Sequence, residues 1–179
     1  MKSKLCELFG KKEQIQQYSL CNDIKKFNDE KVFFSIILPS YNRAFCIKNC
    51  LDAVLNQSYQ NFEVIIVDDG SSDDTLSVVY KNYSQYIYNR KIIYYYQENA
   101  GVSKARNKAL SLAKGDWICY VDSDNIVSSD FLKTFAYAIK KYKNAKMFYG
   151  KLLSLYSRLS VGRIFDRKEL YWYGDTVSH

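Results

Sequence analysis

The stretch "DWICYVDSDNIV" runs apolar from Trp117 to Val121 and then sets two carboxylates, Asp122 and Asp124, around a serine. If the extended backbone continues past Val121, both carboxylates point to one side and Ser123 to the other. Two such acids at a strand end are hard oxygen donors of the kind Mg²⁺ or Mn²⁺ takes, with coordination positions left for phosphate oxygens and water. A cation held there would neutralise a leaving diphosphate as a Lewis acid. The same residues can also be solvated turn acids ahead of a helix near Ser128. The Asp-x-Asp spacing by itself does not choose between the two.

Three further polar clusters raise the same kind of question. In "NFEVIIVDDG", Asp68 and Asp69 end another apolar run. A carboxylate there can accept a base N–H or a ribose hydroxyl. Alternatively, Asp68 caps a turn at Gly70 and Asp69 is solvated. In "PSYNR", Tyr41 offers a ring on which a base can stack, or is a surface residue among 17 tyrosines. "AGVSKARN" opens a helix with small residues, so its N–H groups can approach an anion closely, and Lys104 and Arg106 add positive charge. The plainer reading of that segment is an amphipathic helix with solvated basic residues. No cluster decides the matter alone. Together they describe one metal-dependent nucleoside-diphosphate site.

The elements that would position these clusters alternate. Strands are expected over "VFFSIILPSY", broken by Pro39, and over "NFEVIIVDDG", "KIIYYYQ", "DWICYV" and "AKMFYG". Helices are expected between them. One carries Ile47, Leu51, Val54 and Leu55 as its apolar stripe. A second opens with Ser71-x-x-Asp74, a capping-box pattern. A third carries Val102, Ala105, Ala109, Leu112 and Ala113, with Gly115 as its C-terminal cap. A fourth carries Leu132, Phe135, Ala136 and Ile139, with Asp130 at its start and lysines at its end. This alternation predicts an α/β fold, a mostly parallel sheet with helices on both faces. Ligands of such sheets bind outside the carboxyl ends of the strands, which is where the polar clusters fall.

At 179 residues, with 47% hydrophobic and 25% charged residues, the chain has the size and composition of one globular domain. Its apolar run from Val32 to Leu38, interrupted only by Ser35, is far shorter than the roughly 20 residues of a membrane helix. The N-terminal "MKSKLCELFGKKEQ" lacks the apolar segment of a secretory signal, so a cytoplasmic location is expected. Five cysteines without a CxxC pair read as free thiols, although Cys46 and Cys50 at i,i+4 could share a metal. The only histidine is His179, which argues against a Ser-His-Asp triad or a multi-histidine metal site. No GxG or GxxxxGK[ST] occurs, and position six of an EF-hand loop starting at Asp122 is Val127 instead of Gly. The net charge of +7 divides into +2 over residues 1–31, −1 over 32–128 and +6 over 129–179. The basic C-terminal part reads as a solvated helix face or as a peripheral contact with an anionic membrane; no nucleic-acid partner is expected.

The segments "FFSIILPSYNRAFCIKNCLDAVLNQSYQNFEVIIVDDGSSDDT", "QENAGVSKARNKAL" and "GDWICYVDSDN" resemble, in order and spacing, the N-terminal nucleotide-binding half of the family 2 glycosyltransferases. The resemblance covers roughly residues 33–150. It implies a Rossmann-like GT-A three-layer sandwich and inverting transfer from a nucleotide sugar, most often a UDP-sugar. Mn²⁺ or Mg²⁺ would serve as cofactor, and a glycan or lipid-linked molecule at the inner membrane face as acceptor. It further implies that Pro39, Tyr41 and Asn42 form the nucleotide-binding first loop, with Asp69 facing the base and Asp68 close by. Gly101 and Arg106 match the family's "GxxxARN"-like helix. Asp122 matches the acid near ribose and metal, and Asp124 the direct metal ligand.

The departure lies toward the C-terminus. Inverting transfer needs a general base to take the acceptor proton. The family supplies it downstream, often in an "ED" pair, and the 55 residues after Asp124 hold none. Asp166, Glu169 and Asp175 are the only acids beyond Asp130, and Asp175 is the candidate base among them. The organisation expected is a charged leader (1–31), a nucleotide-sugar-binding domain (32–150) and the start of an acceptor-side region (151–179), together a truncated catalytic domain. Two other readings stay open: a non-catalytic nucleotide-sugar-binding module that lacks its base, and a phosphatase using Asp122 in "DSDNI" as nucleophile.

Overall fold

Residues 34–40 and 62–69 are mostly apolar, and every one of them is buried. Strands that read as continuous apolar runs belong inside a parallel sheet covered on both faces. That is their position in the computed structural model of the chain, which describes residues 22–29, 31–151 and 161–166. In chain order the elements are β1 (Phe34–Ser40), α1 (Ile47–Leu55), β2 (Phe62–Asp69), α2 (Thr75–Tyr88) and β3 (Ile92–Gln97). They continue with α3 (Val102–Leu112), β4 (Trp117–Tyr120), α4 (Phe131–Lys141), β5 (Met147–Lys151) and β6 (Val161–Asp166). The sheet order is β3-β2-β1-β4-β6-β5. The first four strands in this order run parallel, and β6 is antiparallel to both β4 and β5.

Side-chain alternation along β1 sorts the core into two layers. Phe34, Ile36 and Leu38 pack with Ile47, Leu51 and Val54 of α1, Val79 of α2 and Leu132 and Phe135 of α4. Ile37 faces the other way and meets Ile65, Val67 and Ile118 under Ala105 and Ala109 of α3. Helices therefore cover both faces, the α/β three-layer arrangement expected from the alternation. The alanines of α3 let that helix lie close to the sheet, which brings its N-terminus to the carboxyl ends of β1 and β2.

Pro39 does not break its strand. β1 continues through it to Ser40, paired with Val67 and Asp68 of β2. On the other side the ladder to β4 ends at Ile37, whose carbonyl accepts Val121 N–H at 3.0 Å. The missing proline donor thus falls just beyond the last rung, where there is no partner to lose. The capping box expected at α2 is not made. Asp74 occupies the N-cap position without a side-chain bond, Asp73 accepts Thr75 N–H, and Ser71 Oγ accepts Asn42 N–H at 2.9 Å. The last of these ties the β1–α1 loop to the β2–α2 loop.

Gly115 is not a helix cap either. The C-cap of α3 is Ala113 in an extended conformation. Gly115 is small because a Cβ there would stand 2.4 Å from Ser35 N and 2.7 Å from the Phe34 carbonyl carbon. Its N–H donates to Ser35 Oγ at 2.7 Å, Ser35 Oγ donates to Glu63 Oε1 at 2.6 Å, and Lys114 N–H donates to the same oxygen at 2.7 Å. This buried knot sets the level at which β4 enters the sheet beside β1.

β6 joins the same sheet across the 150/151 division expected from sequence, and Asp166 pairs with Trp117 at the start of β4. Asp166 therefore lies at the end of the sheet opposite the carboxyl ends of the parallel strands. Residues 1–21, with Cys6, Cys21 and most of the charged leader, and Glu169 and Asp175 lie outside the described residues.

Candidate functional site

The chain moves from β1 outward through β2 to β3, then crosses back to place β4 on the other side of β1. Loops leaving β1 and β4 must diverge there, which opens a crevice at the switch point. A cleft of about 500 Å³ occupies it. Its walls come from the end of β1 (Pro39, Ser40, Tyr41, Arg43), the end of β2 (Asp69), the start of α3 (Asn99, Gly101, Val102, Ala105) and the turn after β4 (Asp122, Ser123, Asp124).

Three of the four expected clusters therefore meet through Tyr41, Asp69 and the Asp122–Asp124 pair, with the helix start of the fourth between them. Tyr41 leaves 48% of its surface exposed, so its ring is free to stack. Asp122 and Asp124 are about half exposed, at 54% and 53% of their side chains. Among the described residues no cluster of three or more His, Cys, Asp or Glu side chains is placed to hold a metal ion. Two hard carboxylates open to the cleft are a donor set that fits Mg²⁺ or Mn²⁺ sharing its remaining positions with ligand oxygens and water.

Asp69 does more than face the cleft. It is 4% exposed and accepts hydrogen bonds from Gln97 Nε2 at 2.6 Å, Ala100 N–H at 2.9 Å and Gly101 N–H at 2.8 Å. The approach to α3 thus takes an anion from its own chain, and the two N–H groups that precede the helix are already engaged. Gly101 adopts φ +91°, a left-handed conformation that L side chains rarely take, and this turns its N–H toward the carboxylate. Burial alone would raise the Asp69 carboxyl, but the donors from Ala100, Gln97 and Gly101 outweigh it and hold the group below its ordinary 3.8. A depressed value stabilises the fold at pH above 3.8, and that stability is lost as pH falls through the folded value. Asp69→Asn is accordingly expected to melt lower than the native chain at neutral pH, with about 2 kcal/mol lost. The gap should close as the pH of the melt falls from above 3.8 through the lowered folded value. A gap independent of pH would show that the charge on Asp69 contributes nothing.

Asp68 and Asn42 sit outside the cleft walls. Asp68 is 1% exposed; it accepts Ser71 N–H at 2.8 Å and the Tyr94 hydroxyl, so it caps the turn after β2. Burial, and then this bond to Asp68, push the Tyr94 phenol up, which keeps it a donor. Asn42 adopts φ +52°, a conformation asparagine tolerates better than most residues. Its Oδ1 accepts Ser72 N–H at 2.8 Å. Both residues shape the loops that carry Tyr41 and Asp69.

Cys46 and Cys50 touch the Asp122–Asp124 turn through its backbone, with Sγ 3.7 Å from Ser123 O and 3.5 Å from Asp122 O. Burial pushes the Cys50 thiol up to about 12, so it is a packed thiol at neutral pH. Arg106 Nη2 donates to Asp122 Oδ1 at 2.9 Å, while Arg106 Nε is buried without a partner among the described residues.

Sequence reasoning passed over Ser40, Arg43 and Asn99. Ser40 is 3% exposed and its hydroxyl has no hydrogen-bond partner among the described residues. Arg43 had a legible signal: it is the last residue of "PSYNR", at a strand end already singled out for its polar content.

Fold and cleft define an α/β domain that gathers acids, a ring and a helix start at the switch point of a parallel sheet. Comparison with known proteins gives the family: the chain belongs to glycosyl transferase family 2, whose model matches residues 35–151. Glycosyltransferase GlyA of Streptococcus pneumoniae is 36% identical over 115 residues, which is 64% of this chain and 16% of that protein. Chondroitin synthase of Pasteurella multocida is 41% identical over 96 residues, 54% of this chain and 10% of that one. Among solved structures, Staphylococcus aureus TarS 1–349 in complex with UDP superposes with a TM-score of 0.63 at 28% identity, over 79% of this chain and 49% of that one. The chain thus spans half or less of these relatives. Among the described residues no helix is long and apolar enough to cross a membrane.

Proposed function

We propose that the chain binds a nucleotide-diphosphate sugar, a UDP-sugar first of all, and transfers the sugar with inversion to a glycan or lipid-linked acceptor in surface polysaccharide synthesis. The observation that carries this reading is the cleft with Asp69 and Tyr41 on one wall and Asp122 and Asp124 on the other. Membership of the family and the likeness to a UDP-bound neighbour support it. Tyr41 is the base platform, and Asp69, with Pro39 beside it, borders the base. Asp69 also locks Gly101 so that α3 starts at the cleft. Asp122, oriented by Arg106, lies toward ribose and metal, and Asp124 is the direct metal ligand. Bound there, Mn²⁺ or Mg²⁺ supplies Lewis-acid neutralisation of the diphosphate leaving group.

Each cleft carboxylate among the described residues already has a task, since Asp69 holds a loop and Asp122 and Asp124 each face an arginine. This favours a general base outside the described residues, of which Asp175 is the candidate. It also gives weight to a second reading, a module that binds the donor without transferring from it.

Calorimetric titration of UDP into the 179-residue chain tests the donor site. Saturable binding is expected with Mn²⁺ and not with chelator. Equal binding in both would remove the metal from the site, and no binding in either would remove the nucleotide. Sugar transfer or hydrolysis from UDP-sugar then separates the two readings.

A further inference from the structure

Both acids that would take the cation already have an arginine as counter-ion. Arg106 Nη2 sits 2.9 Å from Asp122 Oδ1, and Arg43 Nη2 sits 3.8 Å from Asp124 Oδ2. The two pairs differ in kind. Arg106 makes a hydrogen bond, buries its Nε and places its guanidinium carbon 5.9 Å from the centre of the Tyr120 ring. Both arginine side chains are 38% exposed, but Arg43 makes the longer contact and itself lines the cleft.

The backbone beneath Arg43 is nevertheless fixed. Arg43 N–H donates to Thr75 Oγ1 at 2.9 Å, and its carbonyl accepts Cys46 N–H at 3.0 Å and Ile47 N–H at 2.9 Å. The residue has an anchored backbone and a partly exposed head that lines the cleft together with Asp124. A divalent cation that takes Asp124 Oδ2 competes with this guanidinium for the same oxygen. The displaced group then lies beside the cation. The chemistry that belongs in that position is a diphosphate, whose non-bridging oxygens a planar guanidinium fork can grip in bidentate fashion.

Resting on the donor-site reading above, we propose that Arg43 is a diphosphate-binding residue held in reserve by Asp124 and exchanged onto the ligand when a divalent cation takes that carboxylate. Arg43 thus opposes the cation when it arrives alone and favours cation and diphosphate when they arrive together. Cation and nucleotide binding are coupled through one side chain, and each strengthens the other.

The test uses the full chain and Arg43→Gln, with Mn²⁺ alone followed by paramagnetic resonance of the free ion, and UDP titrated at saturating Mn²⁺. Without Arg43 to compete, Mn²⁺ alone should bind about two- to fivefold more tightly, the size of one exposed ion pair. UDP at saturating Mn²⁺ should bind about tenfold more weakly, for loss of a charge-assisted bond. Arg43→Lys, which keeps the charge without the fork, should fall between native and Gln for UDP. A merely structural role would move both affinities the same way. Unchanged Mn²⁺ affinity, or two shifts of one sign, would overturn the exchange while native UDP binding left the donor site standing. A native chain that binds no UDP with Mn²⁺ would overturn both.

Discussion

Asp124→Ala is expected to abolish the cation-supported binding of UDP, with affinity falling by about 100-fold or more. The size follows from comparison: removing a group that only orients a metal ligand costs 10- to 100-fold in metal affinity, and Asp124 is read as a ligand itself. The second cleft acid, Asp122, cannot compensate alone, because a single carboxylate already paired to Arg106 at 2.9 Å is a poor cation site. The fold should be untouched. Asp124 is 53% exposed at its side chain and its one ion pair, to Arg43, is 3.8 Å long. Exposed pairs of this kind contribute little, so the melting temperature should move by no more than about 3 °C. Calorimetry and thermal melts on the same preparation decide it. Lost binding with an unmoved melt makes Asp124 a ligand. Native-like UDP affinity in the variant would leave the acids after β4 as turn residues.

Gly115→Ala is expected to lower stability sharply, since among the described glycines its added methyl meets the shortest contact. The added carbon would stand 2.4 Å from Ser35 N and 2.8 Å from Ser35 Oγ, distances that real Cβ atoms do not show. The nearest atom belongs to the backbone of the central strand, so no side chain can swing aside. Either β1 and the entry to β4 separate, or the Ser35–Glu63–Lys114 bonds open. The first forfeits packing, and the second leaves a buried carboxylate short of donors. Overpacking of this kind costs about 3 kcal/mol, which lowers melting by about 6–12 °C for a chain of this length. Thermal unfolding of the variant measures it. A shift under about 2 °C would mean that this approach relaxes freely, and the explanation of Gly115 would fail.

Much of the fold was legible because it rests on periodicity. Runs such as "FSIILPS" and "FEVIIVDD" can be satisfied only inside a parallel sheet, and the stripes at 47, 51 and 54 and at 132, 135 and 136 demanded helices over it. The errors were local and have local reasons. Pro39 was read as a strand breaker because sequence does not reveal that the β4 ladder stops at Ile37. Gly115 was read as a cap because its neighbour in space lies some 80 positions away. Ser71 was read as half of a capping box, yet its hydroxyl is taken by Asn42 N–H across two loops.

By itself the sequence determined which groups crowd the carboxyl ends of the strands, because strand-helix alternation puts those ends together whatever the details. It also determined the family, through the order and spacing of four short motifs. Only the tertiary structure decided which of those groups are open to a ligand. Asp68 and Asp69 are neighbours in sequence on opposite faces of one strand, so Asp68 is sealed under Tyr94 while Asp69 reaches the cleft. Arg43 and Asp124 are 81 positions apart and oppose each other only because β4 crosses back to lie beside β1. Side-chain direction and long-range pairing are set by register and crossover, and neither is written in a local pattern of residue types.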